Sequence, residues 1–455
     1  MAPASGPEAA RLPAGARLVP GGSVVAYLGR IYHIFGHNDL NRVMLPGSAV
    51  VSRFLFLTQY YPPEIGAPQV RLSSFARELR RLGHDVEVVT AMPNHPTGRV
   101  MDGYRRRIYL RETADGVTVR RTWIYAATGR GVRRLFNYGS FSVTCLLGLV
   151  RSRRPDVIFV ESPPPFLAVP AVLAGLIWRR PIVFNVADLW PDSAVDLGLL
   201  PEGELTRFLF WFEAWTYRRA RWVNAVTEGI RDRLIDEKHV PANKVTFLPN
   251  GVDVDLFRPA PPDEEVLDAY GLWGRRALIY AGTVGYAQRL VTAVDAMAEV
   301  RRSHPDAVLV IVGDGSERAD VRAHADTVDP GAVRFIDPVP LAEVAHMFRA
   351  SWAGLAILRD LPLLDGARPS KMFPVMASGI PVVYSGAGEG ARLVTESGAG
   401  LDAAPENPAA LAAVIRALLD DPDRAAAMGR RGRQLVEAEF SWGGLVRAWL
   451  AELGL

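Results

Sequence analysis

The sequence has one cysteine, Cys145, in 455 residues, and this scarcity excludes two kinds of architecture. A single thiol forms no intramolecular disulfide and cannot build a zinc site that needs two thiolates. No pair of histidines has metal-ligand spacing with a carboxylate, so no dedicated metal site is predicted. These absences favour a cytoplasmic protein.

Long apolar runs are also absent, although 49% of the residues are hydrophobic. The best candidates, residues 141–150 and 166–178, end at Arg151 and Arg179 and fall short of the roughly 20 residues of a membrane span. Residues 1–52 lack the basic head, apolar stretch and cleavage site of a signal peptide. We expect them to be either a disordered extension or the product of a start codon placed too early.

From Arg53 onward, short apolar runs alternate with longer amphipathic ones, which indicates an α/β fold with two doubly wound, Rossmann-like domains facing across a cleft. The pattern restarts after a proline-rich stretch. We therefore predict an N-terminal domain at 53–248, a linker at 249–262 and a C-terminal domain with terminal helices at 263–455. The predicted strands are 54–57, 85–89, 157–160, 182–186, 222–226, 277–281, 307–312, 333–335, 353–357 and 381–384.

Two segments are candidates for binding an anionic ligand. Gly66 lies where a helix is predicted to begin, and the N–H groups of a helix N-terminus attract anions. Arg368 and Lys371 flank Ser370, which could cap another helix, and this arrangement suits a diphosphate. The alternatives are that Gly66 only makes a turn and that residues 364–373 form a solvated basic turn.

Polar residues follow two of the predicted strands. Asp188, with Asp192 close behind, could orient an acceptor hydroxyl or stabilise a cationic sugar centre, or could simply cap a turn. His95, which follows Asn94, has a similar position, although a lone histidine is more often structural.

Residues 101–155 contain 12 arginines, no lysine and 3 acidic residues. This segment could lie on an anionic membrane surface or receive a phosphorylated acceptor, or its apolar helix could be buried with solvated ends. Nucleic-acid binding is disfavoured because no recognition motif accompanies the charge.

Taken together, several stretches resemble the retaining nucleotide-sugar glycosyltransferases of family 4, which have the GT-B fold. The resemblance covers Arg53 to the C-terminus. Within the family, the sequence is similar to the branch that builds bacterial envelope polysaccharides and O-antigen repeats. It is carried by QYYPPEIG (59–66), MPNHPTG (92–98), DLWPDS (188–193), LPNGVD (248–253), YAGT (280–283), VGDG (312–315) and RPSK (368–371).

The resemblance implies retaining transfer from a nucleoside-diphosphate sugar, with a UDP-sugar favoured, to a lipid-linked or small polar acceptor, without a cofactor or a required metal. It implies a cytoplasmic enzyme of envelope polysaccharide or glycosylated natural-product biosynthesis, either free or peripheral at the inner face of the membrane. The implied residues are Asp188 and His95 for catalysis, Asn94 and Asp192 on the acceptor side, and Gly66, Arg289, Asp365, Arg368, Ser370, Lys371 and Glu389 for the donor.

The sequence departs from the family pattern at two acidic positions. Members usually carry two glutamates separated by seven residues, and the matching positions here are Gly366 and Pro374. Asp365 or Glu389 could substitute. The loss leaves two alternative functions open, which are a non-catalytic partner of another transferase and a nucleotide-sugar epimerase of the same fold.

Overall fold

The computed structural model describes residues 51–455, apart from residues 65, 96, 128–131, 197, 199 and 202. The predicted extension at 1–52 therefore lies almost wholly outside the described residues.

Eight strands build the first sheet. They are β1 (Arg53–Leu57), β2 (Asp85–Ala91), β3 (Tyr109–Ala114), β4 (Val117–Thr122), β5 (Val157–Ser162), β6 (Ile182–Val186), β7 (Trp222–Ala225) and β8 (Val245–Phe247). Their order is β3-β4-β2-β1-β5-β6-β7-β8, and only the β3–β4 pair is antiparallel. The central strands are buried almost throughout because helices cover both faces of the sheet.

The helices of the first half are α1 (Ala67–Arg81), α2 (Val132–Arg151), α3 (Ala168–Trp178), α4 (Asp192–Asp196), α5 (Glu204–Arg219) and α6 (Glu228–Asp236). Helix α1 has Pro68 in its first turn and is followed by Gly83 at φ 92°, a left-handed conformation that suits glycine. The side chain of Thr227 caps α6 by accepting from Ile230 N.

A second, all-parallel sheet of six strands has the order β11-β10-β9-β12-β13-β14 in the numbering that follows. These strands are β9 (Arg276–Ala281), β10 (Ala307–Val312), β11 (Val333–Ile336), β12 (Ala353–Ile357), β13 (Val382–Ser385) and β14 (Gly400–Ala403). The remaining helices are α7 (Glu264–Ala269), α8 (Val291–Val300), α9 (Arg318–Val328), α10 (Leu341–Arg349), α11 (Met372–Ala377), α12 (Gly388–Ser397), α13 (Pro408–Asp420), α14 (Pro422–Glu439) and α15 (Trp442–Leu453).

The predicted fold class is confirmed, and each predicted strand lies within two residues of an observed one. The strands that the sequence analysis missed are β3, β4, β8 and β14. Strands β8 and β14 have only three and four residues, which is too short for a periodic pattern. Among the described helices, none combines the length and the apolar character that crossing a membrane requires.

The β3–β4 hairpin changes the interpretation of the arginine-rich segment. Arg120 and Arg121 are consecutive on β4 and therefore point to opposite faces, yet both are buried. Arg120 pairs with Glu87 on β2, and Arg121 pairs with Glu112 on β3. Part of the local arginine excess is thus neutralised within the sheet, which the sequence could not show because these partners meet only through strand pairing.

The last helix, α15, lies against the first half of the chain. Its Trp449 is completely buried among aromatic rings from the first half, with Phe75 and Phe159 at centroid distances of 5.2 and 6.0 Å. Trp449 Nε1 also donates to Asn224 Oδ1 at 3.1 Å. The predicted boundaries assign this helix to the C-terminal domain, whereas its side chains pack with the N-terminal one.

Asn224 belongs to a ladder of buried polar side chains in register across four parallel strands. Asn185 on β6 donates to Glu161 on β5 at 2.8 Å and accepts from Asn224 on β7 at 2.7 Å. Thr246 on β8 donates to Asn224 at 3.0 Å, and Arg71 on α1 pairs with Glu161. The four polar side chains on the strands thereby satisfy one another, which lowers the cost of burying them.

We expect Trp449→Ala to lower the free energy of unfolding by about 3–5 kcal/mol, because it empties a buried aromatic site and removes a partner of Asn224. Urea unfolding followed by circular dichroism measures this change. The matched control is Trp211→Ala on α5. Because the Trp211 side chain is exposed, this substitution should lower the free energy of unfolding by less than about 0.5 kcal/mol. Equal costs for the two variants would contradict the packing of α15 described above.

Candidate functional site

One buried carboxylate, that of Glu64, joins the loops that follow β1 and β2. Its Oε1 accepts from the backbone N–H groups of Asn94 and His95 at 2.7 and 2.8 Å. Burial raises the pKa of Glu64, while these hydrogen bonds and the Arg121 charge act in the opposite direction. The sequence analysis did not select Glu64, although an acidic residue between two prolines and a glycine was a usable signal.

Asn94 and His95 both lie in the loop after β2 that Glu64 holds. The His95 ring packs edge-on against Tyr60 at 5.6 Å, and burial together with the nearby Arg134 charge lowers the pKa of His95. His95 is therefore a neutral imidazole at neutral pH. The Asn94 side chain is buried and donates to the Met92 carbonyl at 3.0 Å, so the structure shows it supporting its own loop.

Gly66 lies directly before α1. Its backbone is extended, and a Cβ at this position would come within 2.6 Å of Gln69 Oε1. No side chain caps α1 and its first turn holds no acidic residue. The helix N-terminus predicted as an anion site is therefore present, with no capping carboxylate among the described residues.

Asp188 and Asp192 have different surroundings at the end of β6. Asp192 is bound to two cations, Lys238 at 2.6 Å and Arg233 at 3.3 Å. Asp188 accepts from Ser193 Oγ at 2.9 Å and is open to solvent, although the protein atoms around it desolvate the carboxylate and raise its pKa. Asp188, and not Asp192, is thus the carboxylate available to a ligand.

Lys371 is a cation whose amine lies against an aromatic ring instead of a carboxylate. Its Nζ donates to Tyr280 OH at 2.6 Å and lies 4.2 Å from the centre of the same ring. Burial lowers the pKa of Lys371 to about 7. Within the described part of the chain, no carboxylate forms an ion pair with this ammonium group. Tyr280, the second-last residue of β9, was not predicted as a site residue because a tyrosine in an apolar strand is typical of a core position.

The loops beside Lys371 are in backbone contact. Gly282 follows Tyr280 and has φ 148°, and a Cβ there would lie 3.3 Å from Lys371 Cε. Gly313 has φ 139°, and its Cβ would come within 2.0 Å of the Gly282 carbonyl oxygen. Only glycine allows the ends of β9 and β10 to meet in this way, directly beside Lys371.

Ser370 does not cap α11, and this prediction was wrong. The cap position is Lys371, and no side chain caps the helix. Met372 N already donates to the Pro369 carbonyl at 3.1 Å, so the chain enters α11 through a turn. Ser370 lies inside that turn, one residue too early to cap the helix.

Arg368 is already paired within the chain. Its guanidinium pairs with Glu389, and both side chains are nearly buried. The backbone N–H of Glu389 donates to the Asp365 carbonyl at 2.7 Å, so these three predicted donor-binding residues form one cluster. Arg368 Nε is buried and has no hydrogen-bond partner in the described structure. Contact between Arg368 and a diphosphate would therefore require rearrangement of an existing ion pair.

Arg289 lies just before α8 and is half-exposed. It is 3.5 Å from Glu406, which Arg359 binds more closely at 2.7 Å. The guanidinium of Arg289 thus shares one carboxylate with a second arginine. The surplus positive charge at this helix start is compatible with the predicted phosphate contact.

The predicted residues thus form several separate groups. The charged donor candidates of the second half occupy three clusters around Glu389, Glu406 and Tyr280, whereas Gly66 lies in the first half. Among the described residues, no hydrogen bond or ion pair links these clusters to Asp188 or His95.

Comparison with known proteins identifies the family. Residues 66–251 match the family described as a glycosyl transferase 4-like domain, and residues 272–435 match glycosyl transferases group 1. The chain is 25% identical over 407 residues to a glycogen synthase of Mycobacterium tuberculosis, covering 86% of this chain and 91% of that protein. It is 26% identical to the putative colanic acid biosynthesis glycosyl transferase WcaI of Escherichia coli K12, covering 79% and 90%.

Solved structures agree on the fold. Anabaena Alr3699/HepE, crystallised in complex with UDP and glucose, superposes with a TM-score of 0.67 at 16% identity, covering 89% of this chain and 99% of that one. The two matched families together span most of the chain, in the same order as the two sheets. The chain therefore belongs to the family 4 glycosyltransferases and is a glycosyltransferase of the two-domain GT-B type.

Proposed function

We propose that this glycosyltransferase moves a sugar from a UDP-sugar to an acceptor hydroxyl with retention at the anomeric carbon. The observation that carries the proposal is Lys371, whose amine is desolvated, donates to Tyr280 OH and has no carboxylate partner among the described residues. A buried cation of this kind is stabilised by a bound anion, and a nucleoside diphosphate supplies one. Crystals of the similar HepE contain UDP and UDP-glucose, which supports this donor class.

Departure of the diphosphate is the step at which fixed charges contribute most. Lys371 would bind a phosphate oxygen directly, and the open N-terminus of α1 at Gly66 would face the same charge. Arg289 would add a further positive charge. Because these groups neutralise the leaving diphosphate, we propose that transfer requires neither a metal ion nor a cofactor.

The acceptor would be bound by the first half. Asp188 is the open carboxylate there, and we propose that it orients the acceptor hydroxyl or stabilises positive charge on the sugar. His95 is neutral and can accept or donate a single hydrogen bond at its ring. Asp365 is exposed, whereas Glu389 is already paired, so Asp365 is the better substitute for the carboxylate absent at Gly366.

A non-catalytic partner of another transferase is the second candidate function. It is favoured by the absent acidic pair and by Arg368, whose charge is already paired with Glu389. A nucleotide-sugar epimerase of the same fold would instead return an isomerised nucleotide sugar. The products formed by the purified protein distinguish all three functions.

We further propose a lipid-linked acceptor, in envelope polysaccharide or glycosylated natural-product biosynthesis, and peripheral contact with the inner face of the cell membrane. Helices α2 and α3 pack together. The ring of Phe166, two residues before α3, packs against that of Phe212 on α5, with ring centroids 5.7 Å apart. These three helices carry exposed apolar side chains, which are Phe136, Val143, Val150, Leu173, Leu176, Ile177, Phe208 and Trp211. Exposed arginines lie at the helix ends, among them Arg133, Arg153 and Arg179. This surface suits an anionic bilayer.

UDP should raise the thermal unfolding midpoint of the full chain. At 100 times its dissociation constant, a ligand stabilises the native state by about 2.7 kcal/mol. Lys371→Met should abolish the shift, and Arg392→Ala, which changes an exposed cation on α12, should leave it unchanged. A folded wild-type protein that shows no shift with UDP, GDP, ADP or dTDP would contradict donor binding.

Binding of a nucleotide sugar should weaken as the pH rises above about 7. The pKa of Lys371 in the free protein is about 7, below its usual 10.5, so at higher pH binding requires uptake of a proton. Affinity measured by calorimetry should fall by up to about tenfold per pH unit, and Lys371→Met should remove the dependence. Equal affinity at about pH 6.5 and 8.5 would contradict this role for Lys371.

Vesicle co-sedimentation tests the proposed membrane contact. The wild-type chain should bind vesicles that contain phosphatidylglycerol and bind pure phosphatidylcholine much less. Ile177→Asp should weaken binding by about tenfold because it places a charge in the apolar surface. Val328→Asp, at an exposed apolar position on α9 of the second half, is the matched control. Equal loss in both variants would contradict the assignment of this surface.

A further inference from the structure

Helix α6 of the first half begins against the second half of the chain. Its cap residue, Thr227, accepts from Ile230 N, which leaves the N–H groups of Glu228 and Gly229 without a partner in their own helix. Both point to the carboxylate of Glu389 on α12, with Gly229 N at 3.2 Å and Glu228 N at 3.4 Å. A side chain of the second half therefore completes the cap of a helix in the first half.

The two backbones also touch at this point. A Cβ on Gly229 would lie 2.7 Å from Gly366 Cα and 3.5 Å from Glu389 Oε2. Gly229 has no left-handed φ and lies within α6, so an alanine would suit the helix itself. A side chain at Gly229 is excluded because the backbone of Gly366, in the second half, lies too close.

The same carboxylate holds the loop that precedes Lys371. Glu389 pairs with Arg368, and its N–H donates to the Asp365 carbonyl. A Cβ on Gly388, which has φ 72°, would come within 2.0 Å of that carbonyl oxygen. Residues 365–368 are therefore fixed to the start of α12, and α12 is fixed to α6.

We propose that Glu389 is an interdomain latch, a positioning residue that holds the two halves together beside the predicted diphosphate site and fixes the loop of Arg368. A carboxylate only 5% exposed is costly unless it is well paired. Here the Arg368 guanidinium and two backbone N–H groups of a helix N-terminus supply the pairing, and they come from both halves. Loss of Glu389 thus frees one helix start and one loop, in different halves, at the same time.

Hydrogen exchange of the full chain tests the latch without any assay of activity. In Glu389→Ala, the amides of Glu228 and Gly229 should exchange at least about tenfold faster than in the wild type, although the substitution lies in the other half. Glu396→Ala, which removes an exposed carboxylate from the same helix, should leave both amides unchanged. Unchanged exchange of both amides in Glu389→Ala would overturn the proposal.

Two further variants keep the test decisive if Glu389→Ala unfolds. Glu389→Gln keeps one acceptor oxygen and should show an intermediate exchange rate. Gly229→Ala preserves α6 but pushes Gly366 away, so it should speed exchange of the same two amides. Wild-type exchange rates in Gly229→Ala would also overturn the latch.

The consequence for catalysis rests on the proposed function. In Glu389→Ala the KM for the UDP-sugar should rise at least about fivefold, because the loop that precedes Lys371 is no longer held, while kcat changes less. Glu389→Gln should restore part of the loss. If the amides respond but no variant or wild-type protein turns over a UDP-sugar, the latch stands and the proposed function fails. If the wild-type protein turns over a UDP-sugar but the two amides do not respond, the proposed function stands and the latch fails.

Discussion

The arrangement of the molecule depends on the hydrogen bond and aromatic packing that bind Trp449, near the C-terminus, to the first half of the chain. Trp449 is completely buried between Phe75 and Phe159, and its indole N–H donates to Asn224 of the polar ladder. The chain thus crosses between the halves twice, once after β8 and once before α15. Two crossings restrict the relative motion of the two halves more than a single linker does.

The charged candidate site residues differ in whether a neighbour of opposite charge is paired with them. Asp192, Arg368 and Glu389 are neutralised by neighbours, and Arg289 shares a carboxylate with Arg359. Lys371 stands apart because burial lowers its pKa and, among the described residues, its amine donates to a tyrosine hydroxyl and pairs with no carboxylate. A group in this state gains most from an anionic ligand, which explains why the donor assignment depends on Lys371 more than on the other cations.

The sequence predicted the fold well because parallel strands covered on both faces are apolar throughout, as in residues 307–312, and need no long-range information. It predicted the loops that carry Gly66, Asp188 and Lys371 because these follow such strands. It could not predict the pairing of Arg368 with Glu389, or of Arg120 with Glu87, since these contacts join distant segments. Ser370 was misjudged because a capping residue type says nothing about whether the chain arrives through a turn.

The most direct test of the account is the product that the purified protein forms from a UDP-sugar. Proton NMR of a reaction with UDP-glucose, and then with other UDP-sugars, identifies both the released nucleotide and the anomeric configuration of the transferred or hydrolysed sugar. We expect release of UDP with retention of configuration, and loss of that release in Lys371→Met. An isomerised nucleotide sugar, or an intact one after incubation of folded protein with every UDP-sugar, would contradict it.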